Sequence, residues 1–169
     1  MLMGWTVDIV GSKNSWIKLS YSGVYDFDKF YRDIINWFKS KQYFFNEKVH
    51  IEVVRNTGKD HKIDFIATKE VDDYMKYTIN IEIWALRTEK LSSEETYKGE
   101  IQVRIKGSME ADYKNKFERY GAMGKVLRNF YHKYIIKRRL WVKYAGDIYV
   151  DTNDLIDKIK SNLGLVTKY

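Results

Sequence analysis

The stretch GEIQVRIKGSMEA, residues 99–111, alternates strictly between apolar and polar side chains. Ile101, Val103, Ile105, Met109 and Ala111 fall on one side, and Glu100, Gln102, Arg104, Lys106, Ser108 and Glu110 on the other. A period of two with one wet face and one buried face is the mark of a strand in an antiparallel sheet. This run therefore sets the fold class, and the remaining segments have to supply its neighbours and the layer that covers its apolar face.

Candidate neighbours are plentiful. YMKYTINIEIWALR (74–87) alternates in the same way, with Ile79, Ile81, Ile83 and Ala85 in phase. KVHIEVVR (48–55) and HKIDFIAT (61–68) flank Asn56-Thr57-Gly58, a hairpin turn. WTVDIVG (5–11) and SWIKLSY (15–21) flank GSKN and read as another hairpin. Between these, Tyr25–Tyr43 carries Phe27, Phe30, Tyr31, Ile34, Trp37 and Phe38 at steps of three and four, which predicts a core helix with Asp26 as its N-cap.

After Asp112 the rhythm changes. Phe117, Tyr120, Gly124, Leu127, Tyr131 and Tyr134 are spaced 3-4-3-4-3, which predicts a second long helix. LWVKY (140–144) and DIYV (147–150) read as short strands around Gly146, and the segment from Asp151 to Gly164 as a short helix. The expected architecture is α+β: a twisted, mainly antiparallel sheet of about five to seven strands, two long helices packed on one face, and a short C-terminal helix. No linker or low-complexity tract divides the chain, so residues 1–169 read as a single domain.

Charge is concentrated. Between Lys114 and Lys143 ten Lys or Arg accompany one acid, Glu118, so this stretch holds a formal +9 in a chain of net +7. On the predicted helix Lys114, Lys125, Arg128 and His132 lie beside the apolar seam, with Lys133 further round and Lys137, Arg138 and Arg139 beyond. Cations near a helix C-terminus offset its negative end. That accounts for the last of them but not for Lys114 or Lys125. These eight residues are candidates for binding a polyanion, with Tyr131, Trp141 and Tyr144 as neighbouring stacking or contact residues.

Two glycines interrupt the same helix, each costing about 1 kcal/mol relative to Ala. The Gly121-Ala122-Met123-Gly124 spacing resembles the nucleotide-clamping loop of KH domains, whose middle positions are often basic; here they are Ala and Met. Close packing of the backbone at Gly121 and Gly124 is the expectation adopted. The order strand, helix, strands, long helix resembles that of helix-grip lipid and ketide carriers. The resemblance implies a sheet curled around a C-terminal helix with a ligand pocket between them.

Chemistry is less visible. There is no Cys, which excludes disulfides, thiolate metal sites and cysteine nucleophiles. His50, His61 and His132 are scattered, and Asp147, Asp151, Asp154 and Asp157 lack the spacing of a calcium loop. Neither a Gly-x-Ser-x-Gly elbow nor a P-loop occurs. The expectation is a non-catalytic interaction or assembly protein, structural or accessory, with a basic helical face for an acidic partner and with no cofactor or metal. Nucleic-acid binding (RNA or single-stranded DNA) and small-ligand carriage are the alternatives. No apolar run reaches the roughly 20 residues a membrane helix needs, and the first residues lack a secretory pattern. The expected setting is cytoplasmic, as a homo-oligomer or part of a larger assembly.

Overall fold

The computed structural model describes residues 5–11, 15–56, 58–91, 96–136 and 140–165, without the side chains of Trp5, Arg55, His132, Ile135, Leu140 and Trp141. Six strands form one antiparallel sheet: β1 (Trp5–Val10), β2 (Ile17–Asp26), β3 (Phe44–Arg55), β4 (Gly58–Glu70), β5 (Met75–Lys90) and β6 (Thr96–Ala111). β3 to β6 form a meander. Both β1 and β2 then pair with β6, so the order is β1-β6-β5-β4-β3 with β2 beside β1 along the same edge.

This corrects the expected hairpin at the N-terminus. β1 and β2 both run antiparallel to β6 and so parallel to each other, with Val10 opposite Gly107 and Ile17 opposite Ile105. They act as one edge in two halves, the first ending at Val10 and the second beginning at Ile17. The β3–β4 hairpin forms as expected, with Gly58 at φ 118 in its turn.

Alternation decides which face is dry. Ile63, Phe65, Ala67, Ile79, Ile81, Ile83, Ala85, Ile101, Val103 and Ile105 are buried on the inner face, and each large side chain contributes about 1.5–3 kcal/mol by leaving water. The outer face carries cross-strand ion pairs: Lys76–Glu110 at 2.7 Å, Lys106–Asp8 at 2.9 Å and Arg104–Glu82 at 3.8 Å. The Arg104 guanidinium also lies 4.3 Å from the centre of the Trp84 ring.

Helix α1 (Phe27–Ser40) starts at the end of β2, where Asp26 accepts a hydrogen bond from the Lys29 amide at 2.8 Å. Phe30, Ile34, Trp37 and Phe38 are its buried face. Its neighbour is α3 (Ala145–Asn162). Trp37 Nε1 donates to Asp154 at 3.0 Å, Tyr43 donates to Asp151 at 3.1 Å, and Lys41 pairs with Asp154 at 3.0 Å.

The C-terminal expectations are corrected here. Leu140–Tyr144 is a π-helical segment and Asp147–Val150 lies inside α3, so neither is a strand. Ile148, Thr152, Leu155, Ile156 and Ile159 form one buried helical stripe, and the apolar spacing of the helix takes in Asp147–Val150. Gly164, at φ 66, follows the end of this helix as expected.

The helix of the basic segment is shorter than its periodicity suggests. A 3-10 turn (Glu118–Tyr120) leads into α2 (Gly121–Phe130), which passes into a π-helical segment (Tyr131–Ile136). Only Gly124 of α2 is buried. Among the described residues, no helix is long and apolar enough to cross a membrane.

Candidate interaction surface

The basic segment is fastened at both ends to one acidic turn, the link between β4 and β5. Asp72 Oδ1 accepts the amides of Tyr74 (2.7 Å) and Met75 (2.8 Å), which holds that turn. Asp72 Oδ2 accepts the Tyr144 hydroxyl at 2.7 Å. Burial works against the charged carboxylate, but the hydroxyl and the two amides outweigh it and hold the Asp72 pKa below its ordinary value.

The other end is anchored beside it. Lys114 Nζ lies 2.9 Å from Asp73 and 3.6 Å from Glu70, and Lys116 Nζ 3.0 Å from Asp73. Hydrogen bonds from the two lysines depress the Asp73 pKa, and Asp73 in turn raises that of Lys114. Tyr113 donates to Glu70 at 2.9 Å. Lys114 and Lys116 precede the helix, on the side of its positive end, and the acids of a distant turn hold them there.

Between these anchors an aromatic trio supports α2. The Tyr131 ring lies 5.3 Å from Tyr74 and 5.8 Å from Phe117, and Tyr74 lies 6.2 Å from Phe117. A concavity of about 340 Å³ opens among Asp73, Tyr74, Phe117, Tyr131 and Tyr144. Gly121 enters the helix at φ 55, a conformation that favours glycine, with nothing near its Cβ position. A Cβ on Gly124 would collide with the carbonyl oxygen of Phe117. Close approach at Gly124 is thus to the preceding turn of the same chain.

The predicted seam splits into two columns. Phe117, Gly124 and Tyr131 face the body of the protein. Tyr120, Leu127 and Tyr134 face outward, as do Met123, Val126 and Phe130. Met123 is 66% exposed, Val126 65%, Phe130 56% and Tyr134 65%, values at which burial stabilises little. Met123, Val126, Leu127 and Phe130 stand at i, i+3, i+4 and i+7, the spacing of a stripe meant to be covered. The Phe130 and Tyr134 rings touch, with centroids 4.9 Å apart.

The cations flank this stripe. Lys125 is exposed on the adjoining arc, and Lys133 stands at the C-terminal end with its ammonium 5.2 Å from the Tyr134 ring. Among the described residues, no acid lies within ion-pair distance of Lys125, Arg128, Lys133 or Lys143. From Arg119 to Gly146 the chain contains no Asp or Glu and eight Lys or Arg.

The predicted polyanion-binding residues therefore part company. Lys125 and Lys133 are exposed, and Arg128 is half-buried near Tyr74. Lys114 is held by Asp73. Of the proposed contact residues, Tyr131 packs in the aromatic trio and Tyr144 bonds to Asp72. Lys137, Arg138, Arg139 and the side chains of His132 and Trp141 lie outside the described residues. The sequence reading missed Met123, Val126 and Phe130, whose signal was the i, i+3, i+4, i+7 spacing one step round the helix from the seam.

Elsewhere, His50 and Glu52 of β3 and His61 of β4 do share the inner face at one end of the sheet. His50 Nδ1 lies 2.9 Å from Glu47, and Glu47 accepts the Tyr31 hydroxyl at 2.6 Å. Burial, and after it the Glu47 carboxylate, push the Tyr31 pKa up to about 12. No group of three or more His, Asp or Glu residues is arranged to hold a metal ion among the described residues. Comparison with protein-family models, with curated proteins and with solved structures finds no match to this chain.

Proposed function

We propose that this is a non-catalytic interaction protein that attaches to an acidic partner through α2. The observation that carries the reading is the exposed stripe Met123, Val126, Leu127 and Phe130, set in a stretch without acids and bordered by Lys125 and Lys133. A helix fastened at both ends yet left uncovered is a contact element, because apolar side chains at this spacing gain free energy only when something covers them. The cations beside it select a partner of opposite sign and speed its approach.

The nucleic-acid alternative relies on cations and stacking rings. Tyr131 and Tyr144 are engaged within the protein, and aliphatic side chains add nothing to phosphate binding. The carrier alternative relies on a cavity between α3 and the sheet. The inner-face residues of the sheet are buried, and the concavities of about 340, 300 and 420 Å³ seen among the described residues lie beside Phe117, beside Gln102 and beside Lys98.

The test compares the wild type with Leu127→Ser/Phe130→Ser and Lys125→Glu/Lys133→Glu. The probes are polyglutamate, a single-stranded oligonucleotide, vesicles containing anionic lipid, and the protein itself by light scattering. Binding to one of them that both variants weaken by about tenfold or more, at unchanged Tm, is the expected result. Binding to none, or binding that ignores both variants, overturns the reading.

A further inference from the structure

We infer that the partner of α2 is the anionic surface of a lipid bilayer, on which the helix lies flat with Met123, Val126, Leu127, Phe130 and Tyr134 in the headgroup–acyl boundary. This rests on the reading of α2 as the contact element and names what it contacts.

Shape is the first argument. α2 is exposed at every position but Gly124 and Arg128, so it presents a convex ridge about 15 Å long. A protein partner would need a groove cut to this ridge. A bilayer needs none, since lipid tails close around any apolar side chain that enters.

Composition is the second. Met, Val, Leu and Phe on one arc, with Lys125 and Asn129 on the next and no acid from Arg119 to Gly146, is the make-up of a helix lying in a membrane interface. Phe130 and Tyr134 form a ring pair at the C-terminal end, and Tyr134 carries a polar tip that suits headgroup depth. Lys133, over the Tyr134 ring, can reach back to lipid phosphates with its stem along the apolar surface.

Charge excludes the simplest rival. A symmetric pair of copies meeting through α2 would place the same acid-free, cationic stretch against itself. Such a pairing has no acid to neutralise it along Arg119–Gly146. A nucleic acid would satisfy the cations but leave the aliphatic stripe in water.

The experiment floats the full chain with vesicles of phosphatidylcholine alone and with about 30% phosphatidylserine, at about 0.05 M and about 0.3 M salt. Binding to the anionic vesicles, little binding to the neutral ones and weakening by salt are expected. Leu127→Ser/Phe130→Ser should lower the bound fraction about tenfold even at low salt, and Lys125→Glu/Lys133→Glu should remove the preference for anionic lipid.

The chain has no Cys, so a single Val126→Cys carries an environment-sensitive dye at a defined place. Its emission should shift to the blue on anionic vesicles, while the dye on Asp157→Cys, exposed on α3, should not move. Four results overturn the inference: no vesicle binding, vesicle binding indifferent to Leu127→Ser/Phe130→Ser, equal dye shifts at both sites, or no shift at residue 126. If polyglutamate or an oligonucleotide binds through α2 and vesicles do not, the bilayer is wrong and α2 as contact element stands. If nothing binds through α2, both fall.

Discussion

Thr152 of α3 occupies the space that a side chain on residue 107 of β6 would take. A Cβ built on Gly107 would collide with Thr152 Oγ1, and that hydroxyl already donates to the Ile148 carbonyl at 2.7 Å. Glycine stands at 107 because a helix lies against the strand, and no unusual backbone angle is involved.

Replacing Gly107 by Ala should therefore lift α3 from the sheet. Overpacking of this kind costs about 1–3 kcal/mol, which for a domain of this size lowers Tm by roughly 2–4 °C per kcal/mol. Thr152→Ala in the same chain should restore part of the loss. Thermal melts of the single and double variants decide it. An unchanged Tm for Gly107→Ala would mean that Thr152 of α3 does not lie against β6 at Gly107.

Two phenylalanines of the same composition should behave oppositely. Phe38 is fully buried between α1 and the sheet, and Phe130 is 56% exposed. Phe38→Ala should cost about 3–5 kcal/mol in urea unfolding, whereas Phe130→Ala should stay within about 0.5 kcal/mol. A large cost at Phe130 would mean that its ring is covered by the protein's own structure.

His61 stacks on Phe27 at 5.4 Å. Burial lowers its pKa from 6.5, and Glu52 only partly opposes this. The unfolded chain then takes up the proton more readily, so stability rises with pH through the interval below 6.5 and falls as pH drops across it. His61→Gln should flatten that stretch of the stability curve. An NMR titration of His61 with its midpoint at or above 6.5 would contradict the burial.

Asp72 has the opposite sign. Its folded pKa lies below 3.8, so the stability tied to its charge is present above that value and is lost as pH falls through the folded pKa. Asp72→Asn should have a lower urea midpoint than the wild type at pH 7, and the gap should close under acid conditions. A gap that persists undiminished would place the contribution in packing and not in charge.

Periodicity made some of this structure legible. Alternation in residues 74–111 identified the inner face of β5 and β6 residue by residue, and the steps of three and four identified the buried face of α1, because each rhythm has one geometric cause. Short apolar runs are different. LWVKY and DIYV suit a strand and a helix equally well by themselves, and only the phase of Ile148 with Leu155 and Ile159 shows that the second belongs to α3. The pairing of β1 with β6 joins residues about 100 positions apart, and no local pattern encodes it.

The surface was legible to a similar degree. The seam of the basic segment was visible, but periodicity cannot tell which of its columns a fold will cover. Phe117 and Tyr131 found Tyr74, and Gly124 found the Phe117 carbonyl. Leu127 and Tyr134, in the same rhythm, stay exposed, and Tyr134 meets only its helical neighbours Phe130 and Lys133 among the described residues. Lys114 looked free because its acids, Asp73 and Glu70, come from a turn 41 and more positions upstream.

The shared pairing of β1 and β2 has an engineering consequence. While the outer edge passes residues 11–16, its partner β6 passes only Lys106, so the spacing of the two halves is set by β6 and not by the length of chain between them. A peptide tag grafted between Gly11 and Ser15 would lengthen the connection without shifting either half along the sheet. A reporter can be spliced in there, far along the sequence from α2.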